Sequence, residues 1–381
     1  MDKKYMERAI ALAKKGTGYT APNPLVGAVI VKDGNIIGEG FHEKCGTPHA
    51  ERNALADCIA RGNDPRGAAI YVTLTPCCHY GKTPPCTEAI IESGIAHVII
   101  GSRDPNPQVL DKSIGILENA GIKVTKDVLR EACDALNPVF FHYITEHTPY
   151  VVMKYAMTMD GKIATYAGNS KWITGETARV QVHRDRHRYT AIMAGIGTIL
   201  ADDPMLTTRL PEGGGKNPIR IICDTNLRTP LTAKVVTTTK EAPTIIATAV
   251  SAQQRHAPYL EKGCEVLVIP KDLNGSIDLV RLMALLGERE IDSILLEGGG
   301  ALNWSALTAG IVRKVQAYIA PKIFGGRSAL SPVSGSGVEF PKDAVKLSTP
   351  KVIAMGEDLL IESEVLPCSQ ASSKNLERSP Q

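Results

Sequence analysis

Three potential metal ligands lie at spacings that force three segments of the chain to converge. His49 and Glu51 are separated by one residue, Cys77 follows a proline, and Cys86 comes nine positions after Cys77. A set of three ligands leaves one position of a tetrahedral zinc ion open for water, and a nearby glutamate can move protons. This pattern is typical of zinc deaminases, in which the glutamate is the acid/base and not a ligand. The sequence therefore predicts Zn²⁺ bound by His49, Cys77 and Cys86, with Glu51 as the catalytic acid/base.

The long interval between the two cysteines leaves other ligand choices open, because Cys78 and His79 lie in the same segment. Cys77 directly follows the proline that ends a predicted strand. Cys86 follows two prolines at the start of a predicted helix, where backbone N–H groups and the helix dipole stabilise a thiolate. We therefore interpret Cys77 and Cys86 as the ligands.

Two alternative interpretations use the same side chains. A buried Cys/His cluster or a closed structural zinc site would need no catalytic carboxylate, so it would leave Glu51 unexplained. A thiol nucleophile would pair Cys45 with His42 or His49. Cys45 lies in a loop before a predicted helix, which favours a structural position for it.

Length and composition limit the remaining classes of protein. The chain has 381 residues, more than one core usually holds, with 43% hydrophobic and 22% charged residues. No apolar run approaches the ~18 residues of a membrane helix, and the charged N-terminus lacks the apolar segment of a secretory signal. Nine irregularly spaced cysteines and a net charge of +3 favour neither a disulfide framework nor a nucleic-acid surface. We expect a cytoplasmic homo-oligomer that acts on a small molecule, without nucleic-acid or membrane partners.

Helical and strand-like segments alternate through both halves, which predicts the α/β class. In the first half we predict strands at 25–31, 36–41, 69–74 and 96–100, and helices at 3–15, 49–60, 85–93 and 112–120. The Asp-Gly pair at 33–34 predicts a hairpin turn between the first two strands. In the second half we predict strands at 150–154, 191–194, 219–224, 244–248, 266–269, 293–297 and 314–319. An Asn-Pro pair and a polar stretch at 137–149 indicate a boundary between domains at 1–147 and 148–367. The Ser-rich segment 368–381 is predicted to be a flexible tail.

The sequence from Pro76 to Cys86, with the histidine and glutamate upstream and residues 101–107 downstream, resembles the bifunctional riboflavin-biosynthesis deaminase/reductase family. The resemblance continues at 171–174, 200–207 and 297–300, and so spans most of the chain. It departs from the family at Thr75, where glutamate is usual, and at Cys78, where serine is common. It implies a cytidine-deaminase-like three-layer α/β domain followed by a dihydrofolate-reductase-like α/β domain.

The resemblance also implies two successive reactions. The first is zinc-dependent hydrolytic deamination of 2,5-diamino-6-(5-phosphoribosylamino)pyrimidin-4-one. The second is reduction of the ribosyl group to a ribityl chain by NADPH. The implied NADPH contacts are Ala156, Trp172, Thr198, Asp202, Gly299, Gly300, Ala301, Leu302, Asn303, Trp304 and Ser305.

Substrate contacts are implied in both halves. In the first half they are Asn23, His42, His79 and Lys82, and in the second half they are Lys154, Ser170, Arg186, Leu206, Arg209 and Glu297. An arginine can bind two phosphate oxygens at once, and Lys154 and Glu297 are expected to orient the sugar or assist proton delivery. The turn 298–300 offers backbone N–H groups to a phosphate, but it lacks the G-x-G-x-x-G spacing of a Rossmann domain.

Two rival functions share the zinc ligands. A deaminase that edits nucleic acid would need a basic or stacking surface, which the nicotinamide-binding pattern of the second half does not provide. A non-catalytic zinc-stabilised scaffold would keep the metal and lose both reactions.

Overall fold

The structure is a computed structural model that describes residues 2–81, 83–106, 109 and 112–367. The chain forms two compact units, Met1–Thr148 and Pro149–Gln381. The predicted substrate contact Lys82 and the predicted tail at 368–381 lie outside the described residues. Among the described residues, no helix combines the length and the apolar character needed to cross a membrane.

The first unit is a layered α/β structure. Its elements are α1 Lys3–Ala13, β1 Gly27–Lys32, β2 Asn35–Phe41, α2 Ala50–Ala60, β3 Ala69–Leu74, α3 Cys86–Glu92, β4 His97–Ser102, α4 Lys112–Asn119, β5 Lys123–Thr125, α5 Arg130–Asp134 and α6 Pro138–Glu146. The sheet order is β2-β1-β3-β4-β5, with β3, β4 and β5 parallel. Buried residues of α2, α3 and α4 pack on one face, and those of α1 and α5 pack in a second cluster. This confirms the predicted three-layer arrangement.

A two-residue turn between β1 and β2 confirms the predicted hairpin. Asp33 and Gly34 have φ angles of 51° and 75°, the left-handed conformation that favours an Asp-Gly pair in such turns. On β2, Gly38 and Gly40 let α2 approach closely, because a Cβ atom at Gly40 would lie 2.3 Å from the Ala54 nitrogen. The absence of side chains at these two positions therefore fixes how near α2 lies to the sheet.

The second unit contains a larger sheet. Its elements are β6 Tyr150–Thr158, α7 Glu176–Arg188, β7 Ala191–Gly195, α8 Ile196–Asp202, β8 Ile219–Cys223, α9 Lys234–Thr237, β9 Thr244–Thr248, α10 Gln253–Glu261, β10 Glu265–Val268, α11 Leu279–Gly287, β11 Ser293–Leu296, α12 Gly300–Thr308, β12 Val312–Ala320, β13 Lys351–Met355 and β14 Asp358–Glu364. Its strand order is β10-β9-β8-β7-β11-β6-β12-β14-β13. The strands from β10 to β12 are parallel, and β14 and β13 add antiparallel to the edge.

The order of these strands reverses near the middle of the sheet. From β7 the chain proceeds outward through β8, β9 and β10, whereas β11 returns to lie between β7 and β6. Ligands of open α/β sheets bind at the carboxyl ends of strands where the order reverses. The turns after β6, β7 and β11 are therefore the expected place for a cofactor.

The segment at 137–149, where the sequence indicates a domain boundary, contains a helix. Pro138 begins α6, at the first helical position where a missing N–H costs nothing. The side chain of Asn137 accepts a hydrogen bond from the Leu25 nitrogen at 2.7 Å and donates one to the Leu25 oxygen at 2.9 Å. The polar residue that suggested a boundary is thus 3% exposed and joins α6 to the N-terminal part of the unit.

Candidate active sites

Helix α2 positions the predicted histidine and glutamate of the first unit. His49 precedes the helix in an extended conformation, with φ −74° and ψ 166°, and Glu51 lies in its first turn. The Glu51 side chain is only 3% exposed. The first turn thus brings an imidazole and a buried carboxylic acid to the same place.

The two predicted thiol ligands reach His49 from the sheet and from the next helix. Cys77 follows β3 at its carboxyl end, and Cys86 is the first residue of α3. The Cys86 nitrogen donates a hydrogen bond to Cys77 Sγ at 3.4 Å, which favours a thiolate there. His49 Nδ1 lies 3.5 Å from Cys77 Sγ and 3.5 Å from Cys86 Sγ.

These distances fit a zinc ion. The three donor atoms lie within 4.8 Å of one another. Tetrahedral Zn–S and Zn–N bonds of ordinary length place N and S about 3.5 Å apart, and one nitrogen with two sulfurs is a donor set that zinc accepts. The cluster of His49, Cys77 and Cys86 therefore matches a three-ligand zinc site with one position left for water.

The surroundings of the cluster shift the pKa values of Glu51 and Cys77. Burial, and then the neighbouring Cys77 sulfur, raise the pKa of Glu51. The hydrogen bond with the Cys86 thiol, and then the one with His49, lower the pKa of Cys77. A carboxyl group that holds a proton more readily than usual, beside a thiolate, is suited to accept and return protons.

Two of the predicted substrate contacts are connected to this cluster, because the ring centroids of His42 and His49 lie 5.2 Å apart and Asn23 contacts His42. His42 is 2% exposed, and its Nδ1 lies 3.2 Å from the Pro48 oxygen. When Nδ1 donates that bond, Nε2 accepts from Asn23 Nδ2, 3.2 Å away, and the Asn23 carbonyl oxygen is left to accept from a ligand. Burial lowers the pKa of His42, which is consistent with this neutral ring. In the described part of the protein, His79 Nδ1 is buried without a hydrogen-bond partner.

The second unit holds an ion-pair network of largely buried side chains. Arg186 of α7 donates from Nε and Nη2 to the two carboxylate oxygens of Glu297, at 2.7 and 3.0 Å. Lys154 of β6 donates from Nζ to the same carboxylate at 3.3 Å. All three side chains are 12–13% exposed. Burial opposes ionisation of Glu297, but the charges of Arg186 and Lys154 prevail and hold its pKa well below its usual range.

A second arginine lies beside this network. The Arg209 nitrogen donates to His183 Nδ1 at 3.2 Å, and Arg209 Nη1 donates to Thr207 Oγ1 at 3.0 Å. Arg186 Nη1 donates to the Thr207 oxygen at 3.0 Å, so one residue joins both guanidinium groups. Burial, and then the charges of Arg186 and Arg209, lower the pKa of His183 to about 4. The predicted contact Leu206 is the residue before Thr207 and is 3% exposed.

Several of the predicted NADPH contacts meet where β7 and β11 end. Gly299 precedes α12, and a Cβ atom there would lie 3.8 Å from Thr198 Oγ1 of α8. Ser170 Oγ donates to Asp202 Oδ1 at 3.3 Å, joining two predicted contacts. The first turn of α8 and the start of α12 therefore lie close together, and the N–H groups at the start of a helix can bind a phosphate.

Other predicted NADPH contacts have partners elsewhere. Asn303 is 1% exposed and donates from Nδ2 to the Pro332 oxygen at 2.8 Å, and Trp304 Nε1 donates to Ser336 Oγ at 3.2 Å. Trp172 is 65% exposed, with the Arg179 guanidinium 4.8 Å from its ring centroid. Ala156 lies in β6, while Gly300, Ala301, Leu302 and Ser305 lie in α12.

Three residues of these sites were not predicted from the sequence. His183 lies three positions before Arg186 on α7, a helical spacing that could have indicated a shared surface. Thr83 and Arg52 lie beside the His49 cluster, and nothing in their residue types marks them.

Comparisons with known proteins identify the family. Residues 1–102 match the cytidine and deoxycytidylate deaminase zinc-binding region, and residues 149–361 match the RibD C-terminal domain. The riboflavin biosynthesis protein RibD of Actinobacillus pleuropneumoniae is 53% identical over 365 residues, covering 96% of each chain. That of Aquifex aeolicus is 44% identical over 361 residues, covering 95% of this chain and 98% of its own.

Similarity to solved structures supports the same family. A diaminohydroxyphosphoribosylaminopyrimidine deaminase/5-amino-6-(5-phosphoribosylamino)uracil reductase of Thermotoga maritima is 40% identical with a TM-score of 0.85, covering 96% of this chain and 98% of its own. RibD of Acinetobacter baumannii is 34% identical with a TM-score of 0.84, covering 96% and 99%. The chain therefore belongs to the RibD family of bifunctional riboflavin-biosynthesis enzymes, which combine a zinc-dependent deaminase with an NADPH-dependent reductase.

Proposed function

We propose that residues 1–147 deaminate 2,5-diamino-6-(5-phosphoribosylamino)pyrimidin-4-one at a zinc site formed by His49, Cys77 and Cys86. The observation that carries this proposal is the equal spacing of the His49 nitrogen from the two sulfurs, with Glu51 buried beside them. Zinc, when bound, activates the attacking water. Glu51 would pass one proton from the attacking water to the ring nitrogen as the C–O bond forms. It would then pass the remaining hydroxyl proton to the amino group, which leaves as ammonia when the C–N bond breaks. The carbonyl oxygen of Asn23, oriented by His42, accepts a hydrogen bond from the pyrimidine, and His79 lines the same site.

Residues 148–367 reduce the deaminated product in this proposal. NADPH, when bound at the ends of β7 and β11, would supply hydride to the sugar carbon that carries the amino nitrogen, as the bond from that carbon to the ring oxygen breaks. Arg209 and Arg186 bind the sugar phosphate, and Lys154 delivers the proton to the developing alkoxide. Glu297 remains ionised between Arg186 and Lys154, so its role is to hold these two cations in place rather than to transfer a proton. The remaining proposed contacts are Ala156, Ser170, Trp172, Thr198, Asp202, Leu206 and 299–305.

We also propose that the enzyme is a cytoplasmic homo-oligomer that does not bind nucleic acid. The small net charge and the free thiols of Cys58, Cys133, Cys223 and Cys264 support this location and partner class. The edge strand β13 carries the 57% exposed Val352, which favours association with a second copy. Light scattering after size-exclusion chromatography measures the molar mass and so tests the oligomeric state.

Separate assays of the two reactions test the proposed function. Cys86→Ser should lose bound zinc and ammonia release, and should still oxidise NADPH when the deaminated substrate is supplied. Arg209→Met should raise the KM of the reductase for the sugar phosphate and leave ammonia release unchanged.

Cys45→Ser is the matched control, because it changes a thiol outside the cluster. It should leave both activities unchanged, whereas a loss of ammonia release would favour the alternative of a thiol nucleophile. Full ammonia release by Cys86→Ser would refute the zinc assignment. Failure of the wild-type protein to oxidise NADPH with the deaminated substrate would refute the reductase assignment.

A further inference from the structure

Thr83, in the segment between Cys77 and Cys86, contacts the metal cluster. Eight residues separate these cysteines, whereas the compact deaminase motif has two. The longer segment places Thr83 Oγ1 3.3 Å from His49 Nε2. The opposite ring nitrogen of His49, Nδ1, faces both sulfurs at 3.5 Å. The two nitrogens of one imidazole thus point in two directions, one to the thiols and one to a hydroxyl group.

The chemistry of imidazole determines which atom is the donor in the contact between His49 Nε2 and Thr83 Oγ1. A nitrogen that binds a metal must present a lone pair, so the other nitrogen of the neutral ring carries the hydrogen. With Nδ1 on the metal side, Nε2 is the donor and Thr83 Oγ1 is the acceptor. Such an outer partner fixes the tautomer and the orientation of the metal-binding ring.

Arg52 anchors the same segment from α2. Its Nη2 donates to the Pro85 oxygen at 2.8 Å, and its Nε donates to the Pro84 oxygen at 3.3 Å. These carbonyl groups directly follow Thr83, and Arg52 lies in the first turn of α2, three positions after the N-cap residue His49. The start of one helix therefore positions both the ligand and the group that holds its hydrogen-bond partner.

We propose that Thr83, anchored by Arg52, is a positioning residue that fixes the tautomer and ring orientation of His49 for zinc. This inference rests on the proposed zinc site. The eight-residue segment carries the threonine that contacts the outer nitrogen of the histidine ligand. Loss of such a partner weakens metal binding by about 10- to 100-fold.

The test compares Thr83→Val, which removes the acceptor while keeping the shape, with Thr83→Ser, which keeps the hydroxyl group. Zinc affinity of the full-length protein is measured by competition with a chromophoric chelator. We expect about 10-fold weaker binding for Thr83→Val and near wild-type binding for Thr83→Ser. Arg52→Met should weaken binding by less, because Thr83 itself remains.

Thr145→Val is the matched control. Thr145 makes its hydroxyl hydrogen bonds within α6, to the Phe141 and His142 oxygens, and this substitution should leave zinc affinity unchanged. The visible spectrum of the cobalt-substituted protein gives a readout besides activity. It should change in Thr83→Val and return to the wild-type form in Thr83→Ser, because it reports ligand geometry.

Wild-type zinc affinity and an unchanged cobalt spectrum in Thr83→Val would overturn the inference. So would equal weakening in Thr83→Ser. Absence of zinc from the wild-type protein would instead overturn the zinc site itself, and this inference with it. If Thr83→Val does not fold, as judged by circular dichroism, Thr83→Ala and Thr83→Ser provide the same comparison.

Discussion

Two buried glutamates, one in each unit, have opposite protonation behaviour. Glu51 lies beside two thiols, and burial raises its pKa. Glu297 lies between a guanidinium and an ammonium group, which overcome burial and lower its pKa. Burial penalises the charged form of both side chains, so the sign of the nearest charges decides the outcome.

The difference separates a group that exchanges protons from a group that keeps its charge. The first unit keeps an acid whose protonation state can change beside the metal ligands. The second unit surrounds its carboxylate with cations, whose positions the carboxylate then determines. The same residue type therefore supports proton transfer in one unit and charge alignment in the other.

The largest expected effect comes from removing the proton-exchanging group. Glu51→Gln should retain zinc and lower the turnover number for deamination by about 10³-fold, because an amide cannot shuttle protons. Ammonia release and zinc content by atomic absorption measure this, and Glu118→Gln on the exposed face of α4 is the control. If the variant lost zinc or kept its turnover, Glu51 would not be the proton shuttle.

Glu297→Gln should have the next largest effect, on stability. Arg186 and Lys154 would remain buried without their counter-charge, which costs about 3 kcal/mol when one partner of a buried pair is removed. The unfolding temperature of the second unit and the rate of NADPH oxidation should both fall. Glu288→Gln, at an exposed position after α11, should change neither. An unaffected Glu297→Gln would mean that the two cations do not depend on this carboxylate.

A smaller effect is expected from His183. Its pKa is about 6.5 in an unfolded chain and about 4 in the folded protein, so the unfolded chain binds the proton more readily. The stability that the neutral ring contributes is complete above pH 6.5 and is lost as the pH falls to about 4. His183→Asn keeps an acceptor for the Arg209 N–H but does not titrate.

Chemical denaturation of both proteins at pH 7 and pH 4.5 measures this difference. The variant should lose about 1 kcal/mol less than the wild type over this range, after allowance for solvent screening of a partly exposed ring. His147→Asn, at an exposed site in the first unit, should have no such effect. Identical pH dependence in wild type and His183→Asn would show that this ring does not resist protonation.

Local patterns in the sequence predicted much of the fold. The alternation of apolar strands and helices placed the strands β1 to β4, and the Asp-Gly pair gave the turn between β1 and β2. The ligand pattern brought His49, Cys77 and Cys86 together because metal chemistry restricts which residues can converge. The C-terminal hairpin of β13 and β14, the short β5 and the helix α6 were not predicted. In α6 an Asn-Pro pair looked like a break, although proline is well suited to a first helical position.

Long-range arrangements could not be derived in this way. Nothing local in β11 indicates that it lies between β6 and β7, because strand order depends on tertiary packing. The ion-pair network joins distant segments of the chain, which carry Lys154, Arg186 and Glu297. Their pairing depends on that strand order. Thr83 is an ordinary loop threonine until the fold brings it to a histidine ring.

The hydrogen bonds between Asn137 and Leu25 determine when the first unit can be completed during synthesis. The backbone of Leu25 lies two positions after Asn23, and both of its polar groups pair with a side chain that leaves the ribosome 112 residues later. A nascent chain that has not reached this asparagine leaves those groups without their native partner, whatever metal is present. The N-terminal turn of the deaminase is therefore secured by almost the last segment of that unit to be translated.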